Sequence, residues 1–268
     1  MGTASVILAY LLSEIKILNI FQRNFTQRYK FLIEAKAVSK LAILNAVKVG
    51  GFTQSTRVEL NKVYRFNIQN RIYEVILSAE DGRYPLNPKF AKSHELERLF
   101  NVIGLDMSHF LADSILDFQD SDNLVRLNGA ERDEYINLGY APPNRPLKSL
   151  SELIWVKGIN LTAYRKIKEY TTVYTQRINL NYASTEVLYA LGFTKEQINR
   201  ILKMRKRSFL KPTEIKSIVG KRWTFLINRI SLYPLPSVYR AYVREELSGE
   251  EVELILMPNG KIIDILWF

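Results

Sequence analysis

The N-terminal part of the chain contains one long run without any helix-breaking residue, and this run constrains the fold most. Residues 3–49 include neither proline nor glycine, and apolar side chains recur there at spacings of three and four, which predicts one helical stripe. Gly50-Gly51 then predicts the end of the helix. The stripe consists of Phe31, Ala35, Val38, Ala42, Ala46 and Val49. Such a stripe needs a neighbouring layer of the protein to bury it.

Both ends of the remaining chain alternate apolar and polar residues, which is the pattern of half-buried strands. Two pairs of alternating segments are separated by turn-forming residues, so each pair predicts an antiparallel hairpin. A further strand is expected between the second hairpin and the middle of the chain. In chain order the segments and turns are 64–68, Gln69-Asn70, 73–77, 237–247, 252–256, Pro258-Asn259-Gly260 and 263–267.

Between Leu86 and Ile230 the apolar pattern is helical, with short loops. Strands at both ends with helices between them predict an α+β fold: a long N-terminal helix on a small antiparallel sheet, with a large all-helical domain inserted into the sheet. The expected helices are Ser93–Gly104, Met107–Asp117, Ala130–Leu138, Ser149–Trp155, Leu161–Tyr170, Ser184–Leu191, Thr194–Lys206 and Pro212–Val219.

The middle of the chain holds a dense group of acidic side chains. Between residues 113 and 134, seven carboxylates stand against two arginines, and carboxylates packed this closely repel one another unless something neutralises them. Calcium suits that role because it takes about six to eight oxygen ligands. A solvated acidic face and a paired-carboxylate hydrolase are the alternatives. The candidate calcium ligands are Asp117, Asp120, Asp122, Glu131 and Asp133.

A second charged segment has the opposite sign. Residues 195–222 carry ten basic and two acidic side chains, in a chain whose formal net charge is +11. Such a patch can neutralise phosphates, and the turns at Gly158 or Gly192 would have to supply the phosphate-binding amides of a helix-hairpin-helix protein. Each turn has one glycine rather than a pair, which favours a solvated face or an acidic protein neighbour. Nucleic-acid binding through residues 195–222 is the alternative function.

The residue inventory leaves little material for catalysis. The chain has no cysteine, which excludes a disulfide scaffold, a Cys-ligated zinc site and a cysteine nucleophile. Its two histidines, His94 and His109, are not at metal-ligand spacing, and no Gly-x-Ser-x-Gly elbow occurs. We therefore expect that the protein is not an enzyme.

Several short motifs follow one another in a characteristic order between residues 80 and 200. In chain order they are Glu80-Asp81-Gly82-Arg83 with Leu86-Asn87, the run from Asp113 through Asp122 to Leu127-Asn128-Gly129-Ala130-Glu131, Asp133-Glu134-Tyr135, Ala141-Pro142-Pro143, Pro146-Leu147, 149–153, Val156-Lys157-Gly158-Ile159, and 178–184 with Val187-Leu188. Together these motifs resemble the family of the minor pseudopilin GspK of type II secretion systems.

The resemblance implies a fold, a role and a cofactor. Members of that family carry a long N-terminal helix, a pseudopilin sheet and a helical domain inserted into the sheet. They cap the tip of the periplasmic pseudopilus together with two other minor pseudopilins, and they bind calcium in the insert. By this resemblance, residues 1–50 are the pseudopilin helix, 51–85 with 233–268 the sheet, and 86–232 the inserted domain, and the calcium region falls on the five carboxylates named above.

The expected function is therefore structural: a tip protein that nucleates or caps pseudopilus assembly in type II secretion. The expected partners are the other minor pseudopilins and the major pseudopilin, with no nucleic acid. Structural calcium is the expected cofactor.

The N-terminal segment carries the expectations about processing and location. Relatives are cleaved after a glycine by a prepilin peptidase, and Gly2 before Thr3 is the candidate position. The apolar run at 4–12 is shorter than the about 20 residues of a membrane-spanning helix, and Glu14 and Lys16 interrupt its continuation. We expect association with the inner membrane through this helix, with the globular part in the periplasm.

Overall fold

The computed structural model describes residues 2–48 and 57–267. They form the expected α+β structure, with a long helix on one face of an antiparallel sheet and short helices on the other. The helices are α1 (Gly2–Ala46), α2 (Ser93–Val102), α3 (Ser108–Asp117), α4 (Arg132–Ile136), α5 (Leu161–Tyr170), α6 (Thr185–Ala190), α7 (Lys195–Arg205), α8 (Pro212–Val219) and α9 (Trp223–Leu226). Single 3-10 turns cover Glu80–Gly82, Leu150–Trp155 and Gly220–Arg222.

The strands are of two kinds: short two-residue pairs and the longer strands of the main sheet. They are β1 (Val47–Lys48), β2 (Arg57–Val58), β3 (Val63–Ile68), β4 (Arg71–Ala79), β5 (Tyr84–Pro85), β6 (Thr171–Thr172), β7 (Ile178–Asn179), β8 (Ile230–Ser231), β9 (Tyr239–Glu245), β10 (Glu251–Leu256) and β11 (Ile262–Trp267).

Helix α1 is 45 residues long, about 67 Å at 1.5 Å per residue, and its C-terminal part is packed. The predicted stripe from Phe31 to Ala46 is buried against the main sheet. The side chains of residues 16–30 are exposed. The helix ends three residues earlier than predicted because β1 follows it directly and pairs with β2. The predicted stop at Gly50-Gly51 lies outside the described residues.

The main sheet has the order β11-β10-β9-β4-β3, and all its neighbouring strands are antiparallel. The central pair, β4 and β9, joins strands that are far apart in the chain, with Ala79 opposite Tyr239. The chain therefore leaves the sheet after Ala79, forms the helices, and returns beside its point of departure. Segments from both ends of the sequence complete one sheet, as the alternating patterns predict.

The two predicted hairpin turns have the backbone that their sequences favour. Gln69 and Asn70 both have positive φ, +49° and +64°, as a two-residue turn between twisted strands requires. Gly260 has φ +78°, and a Cβ atom there would lie 2.5 Å from Cγ of Lys40 on α1. Glycine therefore lets the β10–β11 turn approach the long helix.

Part of the sheet is buried on both faces, whereas alternation predicts burial on one. Val252, Leu254 and Leu256 of β10 pack towards α1. Their neighbour Ile255, together with Leu266 of β11, belongs to the core of the helical part. The helical part thus covers the second face around β10 and β11, whereas Val63 and Ile72 on the same face are 50% and 40% exposed.

The helical part follows the predicted elements with shorter ends. The segment 130–138 is reduced to the short helix α4, and 149–155 is a 3-10 turn rather than an α-helix. The predicted capping box at α7 is confirmed: the amide of Gln197 donates to Thr194 Oγ1 (3.3 Å), and the amide of Thr194 donates to Gln197 Oε1 (3.0 Å).

Candidate metal centre

Three of the five predicted calcium ligands come together between α3 and α4. Asp117 is the last residue of α3, Asp120 follows in the next turn, and Glu131 immediately precedes α4. One carboxylate oxygen from each lies within 4.8 Å of the other two. Asp117 and Glu131 are buried and Asp120 is partly buried, so a solvated acidic face does not describe this group.

Glu131 has the least satisfied side chain of the three. It is 6% exposed, and neither of its carboxylate oxygens has a hydrogen-bond partner among the described residues. Burial, followed by the charges of Asp120 and Asp117, raises the pKa of Glu131 to about 7. The Oδ1 atom of Asp120 is also buried without a hydrogen-bond partner among those residues. Unpaired buried carboxylate oxygens are costly, and three of them face one cluster.

A glycine lets the loop before α4 close over Asp117. A Cβ atom at Gly129 would lie 1.8 Å from Oδ2 of Asp117, a distance that no side chain can tolerate. The buried Ala130 follows and places Glu131 in an extended conformation, with φ −118° and ψ −172°. The carbonyl of Glu131 accepts a hydrogen bond from the amide of Glu134 (2.9 Å), whereas its side chain makes no capping hydrogen bond to α4.

Arg126 is the basic side chain beside this group. Its guanidinium Nη1 donates to Oδ1 of Asp117 and to Oδ2 of Asp120 (2.5 Å), and its backbone amide donates to Oδ2 of Asp117 (3.2 Å). Burial raises the pKa of Asp117, although the hydrogen bonds from Arg126 oppose that rise. One guanidinium thus contacts two of the three carboxylates.

The other two predicted ligands, Asp122 and Asp133, are exposed and do not belong to this group of three. Asp122 is still close enough that its charge contributes to the raised pKa of Glu131. Its backbone carbonyl accepts a hydrogen bond from Nδ2 of Asn144 (3.3 Å). Asp133 lies in the first turn of α4. Their role as ligands stays a prediction.

The sequence did not reveal the roles of two side chains, Arg126 at the cluster and Asn144, which contacts Asp122. Sequence reasoning counted Arg126 only as a charge opposing the carboxylates, and it did not consider Asn144. Asn144 has φ +45°, and its Oδ1 atom is buried without a hydrogen-bond partner in the described part of the chain. The run Pro142-Pro143-Asn144-Arg145-Pro146 was a signal, since asparagine between prolines favours an unusual turn.

The donor set determines which ion would fit. Asp117, Asp120 and Glu131 offer only carboxylate oxygens. Such hard oxygen ligands suit calcium or magnesium rather than zinc or copper, which prefer imidazole and thiolate. The orphaned oxygens and the close approach at Gly129 both fit a hard divalent cation at this position.

We expect the pH to affect stability through Glu131 when a chelator is present. Its pKa is about 7 in the folded protein, above the value of about 4.3 for a free glutamate. The folded state therefore binds this proton more tightly, so its stabilising effect is full below the unfolded pKa and is lost as the pH rises through the folded pKa. Urea unfolding between about pH 4 and 8 should show this decline, and Glu131→Gln should flatten it. An identical slope in Glu131→Gln, or a flattened slope in the exposed Asp133→Asn, would contradict the assignment.

The turn at Gly192, which precedes the basic segment 195–222, does not have the geometry of a phosphate-binding turn. In the turn at Gly192, the amide of Gly192 donates to the carbonyl of Tyr189 (2.8 Å), and the amide of Phe193 donates to the carbonyl of Leu188 (3.2 Å). These two amides are therefore not free to bind a phosphate. Arg222 is also used internally, because its guanidinium donates to the carbonyls of Leu191 and Gly192 (2.8 and 2.6 Å). Nothing in the described geometry favours the nucleic-acid alternative.

The N-terminal half of α1 is the second feature of functional interest. Among the residues that the structure describes, no helix combines the length and the apolarity needed to cross a membrane. The candidate processing position at Gly2 and Thr3 lies at the start of α1; their side chains are outside the described part. Further along, large apolar side chains are exposed, and Phe21 is 71% accessible. The exposed apolar set is Ile17, Leu18, Ile20, Phe21, Phe25 and Tyr29.

Comparison with known proteins agrees with this architecture. The family model described as "Type II secretion system (T2SS), protein K" matches residues 64–176. The type II secretion system protein K of Dickeya chrysanthemi is 30% identical over 98 residues, which cover 33% of this chain and 27% of that relative. The chain thus aligns with about a quarter of the length of this curated relative.

A solved structure extends the likeness to nearly the whole fold. The GspK-GspI-GspJ complex of the type II secretion system from enterotoxigenic Escherichia coli contains a chain with a TM-score of 0.65 to this one. The match covers 92% of this chain and 96% of that chain, at 17% identity. At this identity the match shows a shared fold, which in this chain is a long helix on an antiparallel sheet, with helices inserted between two strands of the sheet.

Residues 64–176 thus resemble protein K of the type II secretion system, GspK, and the fold as a whole is similar to that of a chain in the GspK-GspI-GspJ complex.

Proposed function

We propose that the protein is a structural, non-enzymatic minor pseudopilin at the tip of the pseudopilus, where it nucleates or caps assembly in type II secretion. The observation that supports this proposal is the difference in burial between two parts of α1. Its C-terminal part is buried against the sheet, whereas residues 16–30 are exposed although many of them are apolar. An exposed apolar helix surface is a site of association, and packing it among neighbouring helices would bury it at about 25 cal/mol per Å² of apolar area.

The helical insertion supports a terminal position. It leaves the sheet after Ala79 and returns at Tyr239, so it adds bulk beside the sheet without interrupting α1. We propose that residues 86–232 form a domain inserted into a sheet built from 51–85 and 233–268, with residues 1–50 as the assembly helix. A domain of this size leaves no room for a further subunit above it.

The matched complex joins GspK with GspI and GspJ, and we infer partners of those two kinds, together with the major pseudopilin. The exposed apolar side chains of α1 support association with the inner membrane before assembly, with the globular part in the periplasm. We expect no nucleic-acid partner, since the turn amides at Gly192 are bonded internally.

Co-purification tests this assembly. The full chain, tagged and expressed with the two candidate minor pseudopilins of its own genome, is expected to form a stable ternary complex. Phe21→Glu, which places a charge on the exposed apolar surface of α1, should abolish or strongly weaken the complex. The adjacent Gln22→Glu is the control, because it adds the same charge at a polar position. A complex insensitive to Phe21→Glu, or no complex with the wild-type chain, would refute the proposal.

We further propose that calcium stiffens the helical domain at the cluster of Asp117, Asp120 and Glu131. Asp122 and Asp133 stay candidates for additional ligands. When bound, the ion would supply positive charge to three carboxylates that have one arginine between them. The protein supplies the shape and the ligand atoms of the site. Gly129 allows the close approach of the loop to Asp117, and Glu131 presents two oxygens without hydrogen-bond partners among the described residues.

Calcium should raise the thermal midpoint of the chelator-treated protein, because a ligand that binds only the folded state stabilises it by RT ln(1 + [L]/Kd). At a concentration about 100 times the Kd, the gain is about 2.7 kcal/mol. Glu131→Gln should lose most of this increase, as measured by differential scanning calorimetry. The matched control is Asp133→Asn, which removes an exposed charge two residues away and should keep most of the increase. An unchanged wild-type midpoint would exclude a structural calcium ion.

A further inference from the structure

Arg126 contacts the same carboxylate oxygens that a metal ion would need. Its Nη1 atom donates to Oδ1 of Asp117 and lies 2.5 Å from Oδ2 of Asp120. Calcium takes carboxylate oxygens as ligands, so the guanidinium and an ion would share these oxygens. A divalent ion held by the same carboxylates would lie next to the guanidinium, and the two cations would repel each other.

The arginine neutralises the cluster only in part. It carries one positive charge against three carboxylates. Both oxygens of Glu131 and Oδ1 of Asp120 lack hydrogen-bond partners within the described residues. The guanidinium therefore holds Asp117 and Asp120 together but does not satisfy Glu131. A divalent ion could bind oxygens of all three carboxylates, whereas the guanidinium contacts only two of them.

The position of Arg126 allows an exchange. Its side chain is 37% exposed, so the guanidinium has a route to solvent that does not cross the core. The backbone amide of Arg126 separately donates to Oδ2 of Asp117 (3.2 Å). The loop can thus keep this backbone contact while the side chain leaves.

We propose that Arg126 is a built-in competitor of the ion: its guanidinium and a divalent cation occupy the carboxylate cluster in turn. The proposal rests on the calcium role proposed above. The competition lowers the affinity for calcium, and it gives the cluster a partial counter-charge while the chain folds. The centre then responds to a calcium-rich environment and resists traces of the ion.

Isothermal titration of the full chain in detergent, stripped with a chelator and titrated with calcium chloride, tests the competition. Arg126→Met keeps the length of the side chain and removes its charge, and it should tighten calcium binding by about tenfold or more, where tenfold corresponds to about 1.4 kcal/mol. The thermal midpoint of calcium-free Arg126→Met should also lie below that of the calcium-free wild type. The rise in midpoint on adding calcium should therefore be larger for the variant.

Two further variants separate competition from a general charge effect. Arg126→Lys keeps the charge without the planar guanidinium, and its affinity should lie between those of wild type and Arg126→Met. Arg132→Met removes an exposed charge beside Glu131, and it should bind calcium as the wild type does.

Each outcome is decisive. Equal or weaker binding by Arg126→Met, or an equal gain in Arg132→Met, overturns the competition and leaves the calcium role standing. Binding by Arg126→Met but not by the wild type supports the competition and overturns the calcium role in the natural protein. No binding by either chain overturns both.

Discussion

Replacing Arg240 by methionine is expected to lower the free energy of unfolding by about 3–5 kcal/mol, the usual cost of removing one partner of a buried ion pair. Arg240 is buried in β9, and its Nε and Nη2 atoms donate to the two carboxylate oxygens of Glu80 at 2.7 and 3.0 Å. Its Nη1 atom donates to the carbonyl of Lys168 in α5 (2.9 Å). The residue thus joins the sheet to the helical part.

The loss should be large because Glu80 is fully buried. Burial alone would raise the pKa of Glu80, but Arg240 and Arg83 hold it below its ordinary value, so the carboxylate is charged. Without Arg240, the positive charge of Arg83, whose Nη1 lies 3.1 Å away, is left to balance the buried carboxylate. An uncompensated buried charge is far more costly than a missing surface contact.

Equilibrium unfolding in urea measures the effect, with Arg244→Met as the matched control. Arg244 lies on the same strand, is half-exposed, and stands 3.6 Å from Glu251. Exposed pairs contribute about 0–1 kcal/mol, so this control should be nearly neutral. Glu80→Gln in the Arg240→Met background should recover part of the loss, because it removes the stranded charge. Similar losses for Arg240→Met and Arg244→Met would contradict the assigned role of the buried pair.

Phe31→Ala is the second substitution with a large expected effect, about 3–5 kcal/mol of unfolding free energy. Phe31 begins the buried stripe of α1 and is fully buried. Its ring stacks on Tyr73 of β4, with centroids 6.3 Å apart, and lies 6.4 Å from the ring of Trp267 in β11. Alanine would leave a cavity between the long helix and both of these strands.

Phe25→Ala provides the control on the same helix. Phe25 is 65% exposed and contacts the ring of Tyr29 rather than the sheet. Its truncation should change the urea midpoint little while still weakening the ternary complex described above. If Phe25→Ala were as destabilising as Phe31→Ala, the assignment of separate packing and assembly parts in α1 would be wrong.

Much of the fold could be predicted because its signals are local. The spacing of Phe31, Ala35, Val38 and Ala42 predicted the buried stripe of α1, and Gln69-Asn70 predicted a turn with positive φ. The end of α1 could not be placed, because it depends on the pairing of β1 with a strand about ten residues later. The burial of Ile255 and Leu266 on the second face of the sheet was missed for a similar reason, since the helices that cover them are distant in the chain.

The candidate site was also predicted only in part from the sequence. The density of carboxylates between residues 113 and 134 predicted a calcium site in this region with five candidate ligands. The structure alone showed that Asp117, Asp120 and Glu131 converge and that Arg126 bridges two of them.

By itself, the sequence determined the helices, the strands, the hairpin turns and the resemblance to one family, because these depend on residues near one another in the chain. The tertiary structure decided which charges meet and which surfaces are buried. Those outcomes depend on how the loop after α3 folds back over Asp117 and how the helices settle on the sheet, and no repeating pattern in the sequence encodes such distances.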